Sequence, residues 1–250
     1  MRVKKVIQLK RRNNFSEIQF WDEKHLESIS TRNLKFKNKM DYEEYFSVFP
    51  HFKYVAEFFG RIKGKKILDL GCGTGWVSIY FARSGAEVFS CDISPKAIDI
   101  AKKMAISNSV KIKADVMEVE KLKYEDEMFD FVFGNAILYH TKIELSTKEI
   151  YRVLKKGGKA AFIEPLAGNP FRRVYRKIFH PDYRSQGLLT YDDIKIFGTP
   201  FRKVDWREFY LLNWFYKYRK SSLEKIDSKV LDLLPWFRKW CRIVVIRAIK

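Results

Sequence analysis

Three cysteines (Cys72, Cys91 and Cys241) without a CxxC pair are too few for a disulfide framework or a structural zinc site, and their scarcity fits a reducing cytoplasm. No uncharged run approaches the ~18–20 residues that cross a bilayer, which excludes a transmembrane segment. The opening Met1-Arg2-Val3-Lys4-Lys5-Val6 is basic but lacks an apolar core and a small-residue cleavage site, which argues against secretion. Only 12 Gly and 7 Pro are present, with no internal repeat and no low-complexity linker, so fibrous and linker-rich architectures are out. Acidic residues are also scarce, 30 against 49 Lys+Arg, leaving a net charge of +19.

What is present points to a packed chain. With 250 residues, 46% of them apolar, the length suits one large α/β domain. The charge excess is uneven. Residues 1–66 carry 16 basic and 8 acidic side chains, residues 67–164 carry 14 of each, and residues 165–250 carry 19 and 8. A neutral middle between two basic flanks suits an acidic partner, such as nucleic acid, an anionic lipid surface or a phosphorylated metabolite, or equally a solvated lysine-rich surface.

The chain divides into an N-terminal arm and aromatic-rich helical cap (1–60), a core (61–165) and a basic, loop-rich insertion with the last strands (166–250). Lys66–Leu70, Ala86–Asp92, Val110–Ala114, Phe129–Gly134 and Lys159–Glu164 read as strands, alternating with helices Trp76–Ser84, Lys96–Ser107 and Ile143–Leu154. That alternation predicts a parallel sheet covered on both faces. Val204–Leu212 and Cys241–Ala248 read as two further strands, and Leu223, Ile226, Val230 and Leu234 as a core-facing helical stripe.

Asp69-Leu70-Gly71-Cys72-Gly73-Thr74-Gly75 lies at a strand-to-helix turn, where glycines let a ligand approach the backbone and the helix N-terminus offers free N–H groups. A dinucleotide fingerprint would need glycine at position 76, which is Trp76, and the Gly-Lys-Ser/Thr of a triphosphate loop is absent. Neither pyrophosphate nor triphosphate binding is favoured.

With its flanking residues, Ile67–Gly75 resembles the first motif of the Rossmann-like S-adenosylmethionine-dependent methyltransferases. Asp92 ending the second strand, Lys113-Ala114-Asp115-Val116, Phe129–His140 and Val153–Lys159 follow in that family's order. The resemblance covers about residues 50–165. It implies a seven-stranded, mostly parallel sheet with helices on both faces and S-adenosylmethionine as cofactor. It also implies that Asp69 with Gly71, Gly73 and Gly75 faces the methionine end, that Asp92 accepts from the ribose hydroxyls, and that Ile93 packs on adenine. Asp115 and Val116 then meet the adenine amino edge, although Asp115 could instead cap a helix, and Asn135 lies beside the methionyl amine. No metal is implied.

Methyl transfer is an in-line displacement that needs alignment more than a protein nucleophile. His140 is the candidate general base, since imidazole titrates nearest neutrality, or else a hydrogen-bonding wall of the cleft. Glu164 is a candidate base, substrate anchor or structural partner. Asn135-Ala136 does not match the Asp/Asn-Pro-Pro-Tyr/Phe of nucleic-acid amino methyltransferases; Leu138-Tyr139-His140 resembles the small-molecule and lipid branch instead, with Tyr139 where histidine is common. Tyr42, Tyr45, Phe46 and Phe49 are candidates for a lid or for core. Arg172, Arg173 and Arg176 follow strand five and suit an anionic acceptor, small or lipid-linked. Pro235–Trp240 mixes tryptophan with cations as peripheral membrane segments do, or covers the sheet. The rival readings are an RNA or DNA methyltransferase and a non-catalytic donor-binding adaptor.

Overall fold

The structure, a computed structural model, describes residues 18–24, 46, 49–168, 187–211 and 221–250, with residues 221–225 described by backbone alone. Tyr42, Tyr45, Arg172, Arg173 and Arg176 therefore lie outside the described residues.

Strands β1 (Lys66–Leu70), β2 (Glu87–Asp92), β3 (Lys113–Val116), β4 (Phe129–Asn135), β5 (Leu154–Pro165), β6 (Lys203–Phe209) and β7 (Ile243–Ile249) form one sheet, in the order β3-β2-β1-β4-β5-β7-β6. The first five pair in parallel, and β7 runs antiparallel between β5 and β6. The expected mostly parallel, seven-stranded sheet is present. Its order reverses between β1 and β4, and a crevice forms at such a switch point beyond the strands' carboxyl ends.

Period-two alternation splits each strand between two cores. Leu68, Leu70 and Phe162 pack on one face beneath α4 (Ile143–Val153) and α5 (Tyr191–Gly198). Ile67, Phe131, Phe133 and Val245 pack on the other, beneath α1 (Pro50–Phe59) and α2 (Trp76–Arg83). Leu68, Leu70, Phe133 and Phe162 are fully buried, and each such side chain contributes about 1.5–3 kcal/mol from lost apolar surface. Helix α3 (Pro95–Ser107) starts as its sequence dictates, with Pro95 in the first turn and the Ser94 hydroxyl accepting from the Ala97 amide.

Several expectations fail in detail. Strand β3 begins at Lys113 rather than Val110, because the Val110 amide is still held by Ala105 O after Ser109 takes a left-handed conformation (φ 55°). Helix α4 stops at Val153, and Leu154 already opens the long β5, which also contains Gly157 and Gly158. The stripe on α6 (Ser221–Leu233) does not face the core: Ile226 is exposed, while Asp227 and Leu231 are buried. Phe46 is no lid but a core residue, stacked on Tyr80 at 3.6 Å, and Phe49 packs against the same cluster.

Candidate functional site

A cavity of about 570 Å³ opens at the switch point, within the range typical of small-molecule sites. The glycine loop forms its floor. Gly71 and Gly75 have φ of +63° and +80°, a backbone region that L side chains rarely adopt. Gly71, Gly73, Asp69, Asp92, Ile93 and Asn135 all line the cavity. Gly75, Asp115 and Val116 do not: Gly75 caps α2 against Ala101, and Met117, Glu118 and Val119 stand at the wall instead. The later start of β3 accounts for that displacement.

Asp92 is nearly buried at the end of β2, with Oδ2 accepting from the Gly73 amide and Oδ1 from the Ser94 amide, each at 2.9 Å. An ionised carboxylate offers two acceptor oxygens, the chemistry that a pair of ligand hydroxyls requires. Asp69 lies deeper. Ser90 donates to Ser78, which donates to Asp69 Oδ2 at 2.6 Å. Burial, joined by the nearby Asp92 charge, pushes the Asp69 carboxyl up to about 7 against the Ser78 bonds that oppose it. Four carboxylates (Asp69, Asp92, Glu118 and Glu120) and two lysines (Lys121 and Lys142) line the cavity. The site is thus acidic within a strongly basic chain, and favours a ligand carrying positive charge. Cys72 and Cys91 are buried beside it, and burial raises both thiols, so neither supplies a thiolate nucleophile.

The opposite wall is the turn after β4. Ala136 adopts φ 58° and its amide donates to Ile163 O at 2.8 Å. The 3-10 turn Leu138–His140 follows and presents Tyr139 and His140 to the cavity. Glu164 does not line the cavity. It is fully buried, and its Oε1 accepts from the amides of Ile137 at 3.0 Å and Leu138 at 2.9 Å. Burial raises its carboxyl to about 7, although these bonds pull the other way. Of the open roles for Glu164, this geometry is that of a structural partner.

Trp21 and Asp22 were not singled out from sequence. Residues 18–24 are helical, and Trp21 lines the cavity with its ring edge-on to His140, centroids 5.1 Å apart. Asp22 Oδ1 accepts from the Ser94 hydroxyl and from the Lys96 amide at 3.3 Å, at the N-terminus of α3, where a carboxylate is favoured. A sequence separation of 72 between Asp22 and Ser94 hides this pairing from any local pattern. Among the described residues no cluster of metal-ligating side chains occurs.

Comparison with known proteins agrees with this geometry. Residues 68–162 match the model of a methyltransferase domain. The chain is 36% identical over 111 residues to a ubiquinone biosynthesis O-methyltransferase of Alkalilimnicola ehrlichii, covering 44% of this chain and 45% of that protein. It is 38% identical over 126 residues to a demethylmenaquinone methyltransferase of Streptomyces avermitilis, covering 48% and 52%. The chain spans about half the length of the curated relatives it matches. Among solved structures, a phosphoethanolamine N-methyltransferase of Haemonchus contortus is similar with a TM-score of 0.65 at 17% identity, covering 98% of this chain and 61% of that one. The PH0226 protein of Pyrococcus horikoshii gives 0.58 at 18% identity, covering 85% and 93%. At such identities these structures speak to the fold.

Proposed function

We propose that this chain, whose residues 68–162 match the model of a methyltransferase domain, is a Rossmann-like methyltransferase that transfers a methyl group from S-adenosylmethionine to a small or lipid-linked, anionic acceptor. The observation that carries this reading is the acidic cavity at the switch point, with Asp92 facing the glycine loop. Its residues fit the donor: carboxylates for a cationic sulfonium and ammonium, acceptor sites on Asp92 for the ribose hydroxyls, and Ile93 and Met117 as apolar walls for adenine. When bound, the donor supplies an electrophilic methyl group on a sulfonium.

This chain's own residues then align and shield. Trp21, Tyr139 and His140 form the wall nearest the reacting end and exclude water from it. His140 takes the proton when the acceptor is a hydroxyl. The acceptor's negative charge lies away from the cavity, where Asp69, Asp92, Glu118 and Glu120 outnumber Lys121 and Lys142; Arg172, Arg173 and Arg176, which follow β5 in the sequence and lie outside the described residues, are the cations proposed to meet it. A lipophilic quinone-like acceptor is consistent with the names of the two relatives above.

Calorimetry with S-adenosylmethionine tests the donor site. Asp92→Ala should weaken binding by about 1.5–3 kcal/mol, the scale for a charged hydrogen-bond partner, and unchanged affinity would remove Asp92 from the site. Labelled donor incubated with fractionated lipid, RNA and metabolite pools then identifies the acceptor. Label appearing only in RNA points to the nucleic-acid reading, and no label in any pool to the adaptor reading. With the acceptor in hand, His140→Ala should lower turnover far more than donor affinity.

A further inference from the structure

Among the described residues, α6 and the 3-10 segment Pro235–Trp240 present a face of exposed apolar side chains. Ile226 and Leu233 are seven residues apart on α6, hence within about 20° of each other around the helix. They are 46% and 78% exposed, and Trp236 just beyond them is 59% exposed. The core side of the same helix is carried by Leu231 and by Asp227, whose Oδ2 accepts from the Leu211 amide at 3.0 Å. No residue of Pro235–Trp240 is buried, so that segment is not an apolar cover over the sheet.

The charge of this face is positive where it meets solvent. Lys229 and Lys239 are exposed. Among the described side chains, the acidic groups nearby are engaged: Asp227 on the Leu211 amide, Asp232 on Arg238 at 3.2 Å, and Glu208 on Arg238 at 3.6 Å and on the Tyr191 hydroxyl. Residues 165–250 as a whole carry a net +11, from 19 basic and 8 acidic side chains.

We propose that Ile226, Leu233 and Trp236, flanked by Lys229 and Lys239, form a docking surface for an anionic lipid bilayer. Aliphatic and indole side chains in a cationic frame suit the boundary between headgroups and acyl chains. Nucleic acid fits worse, because Ile226 and Leu233 offer neither stacking nor phosphate contacts. The position is also suited to lipid-borne acceptors. The segment enters β7 at Arg242, whose amide donates to Phe209 O and Tyr210 O and whose carbonyl accepts from the Leu166 amide. This joins it to the carboxyl ends of β5 and β6, the edge on which the donor cavity opens. Docking stands independently of methyl transfer; only the delivery of acceptor to that edge rests on the function proposed above.

Co-sedimentation of the full chain with vesicles of phosphatidylcholine, with and without roughly 30% phosphatidylglycerol, tests the proposal. Binding should require the anionic lipid and weaken as salt is raised. Leu233→Ser/Trp236→Ser and Lys229→Gln/Lys239→Gln should each reduce it about tenfold or more. These are surface changes, and an unchanged dissociation constant for S-adenosylmethionine in both variants shows that the fold and donor site persist. The proposal is overturned if the wild type ignores anionic vesicles, or if both variants bind as the wild type does. It is equally overturned if Leu233→Ser/Trp236→Ser abolishes a dimer seen in sedimentation velocity without altering vesicle binding, which would make the face a contact between copies.

Discussion

Ile137 covers Gly71 so closely that a Cβ on this glycine would fall 2.6 Å from Ile137 Cδ1. The same side chain fills the space over Gly134, where an added Cβ would meet its Cγ2 at 2.6 Å. The turn after β4 is therefore keyed into the glycine loop, and the wall bearing His140 is in register with the floor of the cavity. Part of the demand for glycine at position 71 thus comes from a protein side chain.

Gly71→Ala should lose about 2–4 kcal/mol of stability, combining left-handed strain with overpacking. Ile137→Ala in the same chain should recover the overpacking share and leave the strain. Urea denaturation of the two single variants and the double variant measures this coupling. Strict additivity would show that the turn shifts aside at no cost.

Glu164 holds the other side of that turn. Glu164→Gln keeps a carbonyl oxygen that can accept from the Ile137 and Leu138 amides, so near pH 4, where the carboxyl is still protonated, stability should stay within about 1 kcal/mol of wild type. Glu164→Leu leaves both amides unpaired and should cost about 2–4 kcal/mol. Thermal unfolding and amide hydrogen exchange at Ile137 and Leu138 check both outcomes. If the Gln variant exchanges as fast as the Leu variant, it is the carboxylate charge that holds the turn.

The strand order, the glycine loop and the placement of Asp69, Asp92 and Asn135 were legible because they rest on local patterns: short apolar runs, glycine spacing, and an acid at a strand end. The adenine side was misplaced by two residues. Asp115 reads as the first residue after its strand, yet Val110 stays bonded to the preceding helix and β3 runs from Lys113 to Val116. The α6 stripe misled for another reason. Leu223, Ile226, Val230 and Leu234 carry helical spacing, but periodicity states which residues share a face and not which face the fold covers. Trp21 and Asp22 were out of reach because their partners, His140 and Ser94, come from distant elements.

The latch at Asp22 makes the 18–24 helix part of the donor site. Asp22→Ala removes the acceptor for the Ser94 hydroxyl and the Lys96 amide. It should weaken S-adenosylmethionine binding about three- to tenfold by freeing the wall that carries Trp21. Trp21→Phe should abolish most of the change in tryptophan emission on titration with S-adenosylhomocysteine, although six tryptophans are present. An undiminished emission change in Trp21→Phe would place the reporter elsewhere.

Two buried carboxyls oppose the gain in stability that buried His51, lowered to about 3, brings as pH rises through the same window. Burial raises Asp69 and Glu164 to about 7 from ordinary values of 3.8 and 4.5. In the unfolded chain both release their protons near those ordinary values. From about pH 4 to 7 these two groups therefore hold more protons in the folded state than in the unfolded one, and their contribution to stability falls as pH rises. Below that window both states are protonated, and above it both are ionised, so the loss levels off. Each group contributes on the order of 3–4 kcal/mol to the fall. Relative to the wild type, urea midpoints at several pH values across the window should shift upward with rising pH in Asp69→Asn and Glu164→Gln, and most in the double variant. S-adenosylmethionine should act oppositely: its positive charge beside Asp69 favours the ionised form, so binding releases a proton and tightens as pH rises toward 7. Calorimetry in buffers of different ionisation enthalpy counts that proton. Donor affinity independent of pH in the wild type would separate Asp69 from the cationic end of the ligand.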